Sequence, residues 1–323
     1  MRSEESLFFE IFRFAQYDKV ACLDSANRRI CYNFTQIIFK DKILILGYEV
    51  PQGSKIHFGS SARLKRNIEK IAVETFYEQG YEEISTPSFN FTNDERILGK
   101  RKIIRVSTDD NKQMILRNDN TIDVIKILNR HLRNLGNKKW FYIQPAFSYP
   151  STQIEQIGAE CIGEGDENIS GVLCVAVSIF LKLKLNPILQ IANMEIPRLC
   201  AKESGVDIEI FSQMQVQKIV NTHKYLRDLL YIHDKNSLIN YIKTAPSFLK
   251  DELQKLLKSA SFCEYERTIF SPLYYPKMAY YDNLFFRAFS GNRVFLRGGK
   301  YVIDKTHSSG FALYTNEIVE SII

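Results

Sequence analysis

The stretch from Trp140 to Gly163, WFYIQPAFSYPSTQIEQIGAECIG, constrains the fold more than any other part of the chain. It reads as two strands joined by a short loop, SYPSTQ. The first arm is aromatic and apolar and carries an internal Pro145. The second alternates enough to place polar side chains on one face, Gln156 and Glu160 among them. Side chains at i and i+4 on a strand point the same way, so these two project together. A polar pair on one face of an apolar hairpin lines either a small-molecule pocket or a solvated sheet face. The pattern alone leaves both readings open.

The segments on either side supply helices and further strands. Leu64, Ile68, Ile71, Ala72, Thr75 and Phe76 recur at helical spacing and predict an amphipathic helix from about Ser61 to Gln79. Ser60 or Ser61 is the expected N-cap and Gly80 the stop. A strand over Tyr81–Thr86 follows, ended by Pro87. A helix placed this way is either a dimer element or a plain core helix. Arg105–Val106 and Met114–Leu116 read as strands flanking a turn at Thr108–Asn111. The second runs into Arg117-Asn118-Asp119-Asn120-Thr121, which caps a helix through Leu132. Arg117, where strand meets helix, either orients a ligand carboxylate or makes an ion pair that fixes the turn. Ser170–Leu185 is a helix apolar on most sides, and Pro187 opens a strand over Ile188–Asn193.

Residues 196–260 then change character to helical pattern without strand signals, which predicts a small helical insertion. Strand text returns at Tyr265–Leu273, MAYYDNLFFRAF and NRVFLRGGKYV, with a turn at Ser290-Gly291-Asn292. SSGFALYTNEIVESII gives a strand and then a helix from near Asn316. Residues 1–48 stand apart, with two short strands expected around Asn27-Arg28; an added small β unit and a misplaced start are both open. The segments together predict an α+β protein: residues 49–195 and 261–323 form its core, 196–260 an insertion and 1–48 an extension.

Composition removes several functional classes. The chain has 43 Lys and Arg against 37 Asp and Glu, a net charge of only +6 over 323 residues. The basic residues are scattered among acids, whereas nucleic-acid sites cluster their charge. Six widely spaced cysteines contain no C-x-x-C pair, and five histidines show no metal-ligand spacing, so no metal, cofactor or disulfide framework is expected. That usage fits a reducing cytosol. The longest apolar run, Val172–Leu183, is interrupted by Ser178 and Lys182 and falls short of the roughly 20 residues a bilayer demands. Gly298-Gly299-Lys300 is followed by Tyr301 rather than Ser or Thr, so it is no phosphate loop.

The order of the pieces resembles the catalytic core of class II aminoacyl-tRNA synthetases, histidyl branch, over roughly residues 50–323. GYEEISTPSF resembles the end of motif 1, LRNDNT the L-R-P-E/D-x-T segment, and QIGAECIG the close of motif 2. MAYYDNLFF resembles the histidine-specific R-G-L-D-Y-Y-T-G, RGGKY the G-G-R-Y, and GFALYTNEI motif 3. The resemblance implies an antiparallel class II sheet flanked by helices. It also implies a histidine site, with Gln156 and Glu160 at the α-amino group, Tyr280 and Tyr281 near the imidazole, and Thr92 and Arg117 at two further positions. Asn90 stands where the synthetase has a Glu.

The departures from the family fall at the nucleotide. Ser148 occupies the place of the motif 2 Arg, Pro150 that of its Glu, and Glu317 that of the motif 3 Arg. Pro276, with Lys277 beside it, replaces the leading Arg of the histidine-specific segment. Adenylation builds negative charge on phosphate oxygens, which a bidentate Arg stabilises and a Ser or Glu does not. The resemblance ends at motif 3, so no anticodon-binding domain is expected. In these respects the chain is similar to a non-catalytic paralogue family, the regulatory subunits of short-form ATP phosphoribosyltransferase. That implies a catalytic-subunit partner, a homodimer within a hetero-oligomer, L-histidine as a ligand and a part in feedback. A tRNA- or RNA-binding synthetase relic and a divergent active ligase are the alternatives.

Overall fold

The structure is a computed structural model that describes residues 21–23, 29–31, 37–39, 42–44, 50–51, 53–91, 103–107, 113–131, 136–259, 261–276 and 281–323. It divides into two compact units, residues 1–55 with 150–152 and residues 56–149 with 153–323. Within the first, β1 (Ala21–Leu23) pairs antiparallel with β2 (Arg29–Cys31), and β3 (Ile37–Phe39) with β4 (Lys42–Leu44). The strands flank residues 24–28, so the expected Asn27-Arg28 turn lies between them but outside the described residues.

The second unit opens with helix α1 (Gly59–Glu78), whose inner face buries Ile68, Ala72, Thr75 and Phe76. The cap differs from the sequence expectation. Phe58 is the N-cap, and Ser61 serves from inside the first turn, its hydroxyl accepting from Phe58 N and donating to Phe58 O, both at 2.9 Å. Gly80 follows the helix at φ 74°, the left-handed position that ends helices cheaply only for glycine. The predicted strand after it shrinks to β5 (Glu82–Glu83), because Thr86 and Pro87 turn their carbonyls to Arg117 instead of a ladder. Next come β6 (Phe89–Phe91), β7 (Arg105–Ser107) and β8 (Gln113–Leu116), a three-stranded antiparallel sheet with β8 in the centre. Helix α2 (Asn120–His131) follows.

The hairpin appears as β9 (Lys139–Ser148) and β10 (Thr152–Ile162), followed by helix α3 (Asp166–Lys182) and strand β11 (Ile188–Asn193). The helical segment contains α4 (Glu195–Ser204), α5 (Glu209–Ser212), α6 (Val216–Thr222), α7 (Lys224–Leu230), α8 (Lys235–Thr244) and α9 (Ser247–Ser259). Strands β12 (Thr268–Phe270), β13 (Tyr281–Ser290), β14 (Arg293–Ile303) and β15 (Thr306–Tyr314) and helix α10 (Thr315–Ile322) complete the chain.

Eight strands form the main sheet in the order β12-β11-β13-β14-β15-β10-β9-β5. The pairings from β11 through β15 to β10 are antiparallel, and β12 and β5 add to the two edges in parallel. One face of β10, with Ile157, Ala159 and Cys161, joins α1 and α3 in the largest core cluster, where Phe76 stacks on Phe141 at 4.8 Å. The helical segment shares this core through Ile196, Phe211, Leu226, Leu249 and Leu253. Helix α2 covers the opposite face. Its Ile122 and Ile125 pack with Tyr281, Phe285 and Tyr301, and its Val124 and Leu128 with Trp140 and Tyr142. That second face carries Gln156 and Glu160.

Candidate functional site

Gln156 and Glu160 are both buried, at 4% and 0% exposure, and both lie on the face covered by α2. The residue between them explains the Q-x-G-x-E spacing. A Cβ on Gly158 would lie 2.1 Å from the Tyr142 ring and 2.3 Å from its hydroxyl oxygen. Only glycine leaves room for Tyr142 to lie against the strand between the two polar side chains. Opposite Glu160 in the register sits Gly310, where a Cβ would meet Glu160 Oε2 at 1.8 Å. The carboxyl is therefore housed in a cradle cut from two missing side chains.

The start of α2 addresses both polar groups. Asn120 Nδ2 donates to Gln156 Oε1 at 2.6 Å, and Thr121 Oγ1 donates to Glu160 Oε1 at 2.7 Å. Tyr301 OH donates to Glu160 Oε2, and Tyr142 OH lies 3.5 Å from Thr121 Oγ1. Two consecutive residues at a helix N-terminus thus reach two strand residues four apart. Burial outweighs the stabilising hydroxyls and pushes the Glu160 carboxyl up from 4.5 to about 8. At neutral pH the carboxyl therefore keeps its proton. Burial likewise drives the Tyr142 and Tyr301 hydroxyls well above their usual range, so both stay neutral donors. Among the described residues the buried Asn120 Oδ1 has no hydrogen-bond partner.

Arg117 has a different job from either sequence reading. It is 1% exposed, and its fork donates to Thr86 O, Thr86 Oγ1 and Pro87 O on one side and to Pro145 O on the other. The contacts are backbone carbonyls and a hydroxyl rather than a carboxylate. It ties the end of motif 1 to β9, and Gln144 repeats the tie by donating to Thr86 Oγ1 at 2.9 Å and accepting from Thr86 N at 3.1 Å. Thr92 and Tyr280 lie outside the described residues. Asn90 donates to Asp123 Oδ2 at 2.5 Å, and burial raises the Asp123 carboxyl to about 6.

Comparison with known proteins agrees with this architecture. The histidyl-tRNA synthetase family model matches residues 59–318. An ATP phosphoribosyltransferase regulatory subunit of Helicobacter hepaticus is 50% identical over 281 residues, covering 87% of this chain and all of the relative. The chain belongs to the histidyl-tRNA synthetase-like family of ATP phosphoribosyltransferase regulatory subunits. Two solved structures share the fold. A Bacillus halodurans ATP phosphoribosyltransferase regulatory subunit/histidyl-tRNA synthetase superposes with a TM-score of 0.75 at 18% identity, covering 86% of this chain and 84% of that one. A chain of the ATP phosphoribosyl transferase complex of Thermotoga maritima gives 0.60 at 14% identity, covering 78% and 97%.

In this regulatory-subunit chain the remaining expected positions separate into two groups. Tyr281 joins the Glu160 cluster: it is 5% exposed, and its ring meets Tyr301 edge-on at 6.4 Å. Ser148, Pro150 and Glu317 do not. Ser148 ends β9, Pro150 is exposed in the turn of the hairpin, and Glu317 pairs with Arg293 at 3.2 Å on α10. Asn120, Thr121, Tyr142 and Tyr301 are the site residues that sequence reasoning missed. Asn120 and Thr121 stood in the R-N-D-N-T run, but nothing in a linear pattern says that a helix start faces a strand. Tyr301 also lines a cleft of about 280 Å³ with Asp282, Asn283, Lys300, His307 and Ser308, whose buried Oγ has no partner among the described residues. Among the described residues no helix is long and apolar enough to cross a membrane, and no His, Cys, Asp and Glu group is arranged for a metal.

Proposed function

We propose that this chain is the non-catalytic regulatory subunit of a short-form ATP phosphoribosyltransferase, binding L-histidine at the Glu160 cluster and passing that state to the catalytic subunit. One observation supports the reading: Gln156 and Glu160, at positions resembling the amino-acid end of the synthetase site, sit in a buried polar cluster, whereas the positions resembling the nucleotide end carry no arginine. Glu160 and Gln156 are buried and held by Thr121, Tyr301 and Asn120. Ser148, Pro150 and Glu317 occupy the positions of the motif 2 and motif 3 residues that would hold ATP. Without guanidinium forks there, the charge that builds on phosphate oxygens during adenylation is not stabilised.

A buried carboxamide and a buried carboxyl differ in what they recognise. Glu160, buried and protonated when alone, binds a cationic or proton-donating group far better than a neutral one, since only such a partner offsets its desolvation. Gln156 and Asn120 Oδ1 add a neutral donor and acceptor beside it. An amino acid with a basic side chain meets this description at both ends. The regulatory role is supported by the name carried by the Helicobacter hepaticus relative at 50% identity. Histidine feedback, cytoplasmic location and a homodimer formed through α1 belong to the same proposal; Phe58 and Tyr77 stand 41% and 55% exposed at the two ends of that helix.

Reconstitution of the catalytic subunit with and without this chain tests the reading. Activity should rise when the chain is added and become sensitive to L-histidine. Equal activity and equal histidine sensitivity in both preparations would refute it. ATP–pyrophosphate exchange with histidine should be absent.

A further inference from the structure

Arg287 and Arg297 are directly opposed across β13 and β14, on the same face of the sheet as Glu160. Like charges facing each other across a ladder destabilise a sheet, and guanidinium desolvation adds to that. Both side chains are half-buried, and among the described residues neither has a carboxylate within ion-pair distance. Arg287 uses only Nε, donating to Gln190 Oε1 at 2.5 Å, while its guanidinium lies over the rings of Tyr274 at 4.3 Å and Phe289 at 4.9 Å. Gln190 is held in turn by Ser271 Oγ at 2.5 Å. Arg297 donates through one terminal nitrogen to Tyr314 OH at 3.3 Å and lies over that ring at 5.4 Å. The aromatic faces and neutral acceptors fix both forks in place without neutralising them. The remaining N–H groups of the two forks have no partner among the described residues.

We propose that Arg287 and Arg297 together form a binding site for a phosphate-type oxyanion carried by a small ligand. Two planar forks side by side match the charge of a phosphate dianion and the spacing of its oxygens, which each fork meets with paired N–H donors. In register toward Glu160 come Ala312, Gly299 and Gly310, which raise no more than a methyl group from the sheet, and the Tyr281 ring packs against Gly299. Arg297 lies two strands across and two residues along from Glu160, which is roughly 10 Å by 7 Å of sheet. A free amino acid, whose charges lie within a few ångströms of each other, does not span that distance. The anion site is therefore separate from the amino-acid site and does not depend on the function proposed above.

The test uses the full chain at low ionic strength, with pyrophosphate, inorganic phosphate, adenosine monophosphate and acetate as probes and chloride at matched ionic strength as the control. Titration calorimetry and thermal unfolding should both register phosphate-bearing probes in the wild type. Arg287→Gln/Arg297→Gln should lose at least tenfold in affinity for pyrophosphate. Without any probe, Arg297→Gln should unfold at a higher temperature than the wild type, because one of two facing charges is gone. A merely structural arginine predicts the opposite sign, so a variant that folds poorly still decides the question. Tighter binding of adenosine monophosphate than of inorganic phosphate would identify a phosphorylated metabolite as the ligand; the reverse order would identify the free anion. Acetate binding as tightly as phosphate would overturn the proposal, as would indifference of pyrophosphate binding to the double substitution.

Discussion

Replacing Glu160 by Gln removes one ionisable group from the floor of the site and leaves its shape unchanged. The carboxyl moves from 4.5 to about 8 on folding, chiefly because it is wholly buried. A carboxyl raised in this way contributes its full share of stability below the unfolded value, near pH 4.5. That share is lost as the pH climbs toward 8, because the unfolded chain ionises freely and the folded one resists. With about 1.4 kcal/mol per pH unit, the wild type loses roughly 4 kcal/mol from this group between pH 5 and pH 9. A glutamine there accepts from one of the two hydroxyls, Thr121 Oγ1 or Tyr301 OH, through its carbonyl and donates to the other through its amide, and it does not titrate. Tyr142 and Tyr301 remain neutral over the whole range, so they leave the difference undisturbed. Urea unfolding of both proteins, without ligand, at five pH values from 5 to 9 measures the difference directly. The variant should gain on the wild type by about 4 kcal/mol across the series, at constant m-value. A gap that stays flat within 1 kcal/mol would refute the argument, since the buried carboxyl would then titrate as it does in water.

Three further outcomes follow from the same geometry. Binding of L-histidine at pH 7 should release close to one proton per site, because the cation replaces the proton on Glu160; calorimetry in buffers of differing ionisation enthalpy reads the number, and zero release would mean that the ligand does not contact this carboxyl. Gly310→Ala drives a methyl to 1.8 Å from Glu160 Oε2 and 2.6 Å from Ala159 O, so chemical denaturation should show a loss of at least about 1–3 kcal/mol from overpacking, with histidine binding abolished. Arg117→Met strips three carbonyls, that of Thr86 buried, of their donor and should cost about 1–3 kcal/mol. Arg117→Lys should recover only part of that loss, since one ammonium does not reach both sides of the latch.

The helix from Gly59, the hairpin of β9 and β10 and the run of strands from Tyr281 onward were legible because each carries a period or a stop that physics reads locally. Apolar residues at helical spacing, a glycine at positive φ after Gln79 and alternation around Gln156 and Glu160 are all properties of a few neighbouring residues. The two-residue β5 and three-residue β12 were not legible at their true lengths. The end of β5 is set by which backbone groups are claimed elsewhere: Arg117 takes the carbonyls of Thr86 and Pro87 before a ladder does.

For the site the division is sharper. The sequence by itself determined that Gln156 and Glu160 share a face, because side-chain direction on a strand needs no partner. Only the tertiary structure decided what Glu160 is. Its pKa near 8 comes from complete burial, and that burial is made by Gly310 on one side and by Thr121, Tyr142 and Tyr301 around it. Those residues lie between 18 and 150 positions away in the chain. Desolvation depends on everything packed around a group, so no local pattern reports it. The same holds for the facing arginines, which are ordinary polar residues in two strand texts and become a concentrated positive charge once β13 and β14 are in register.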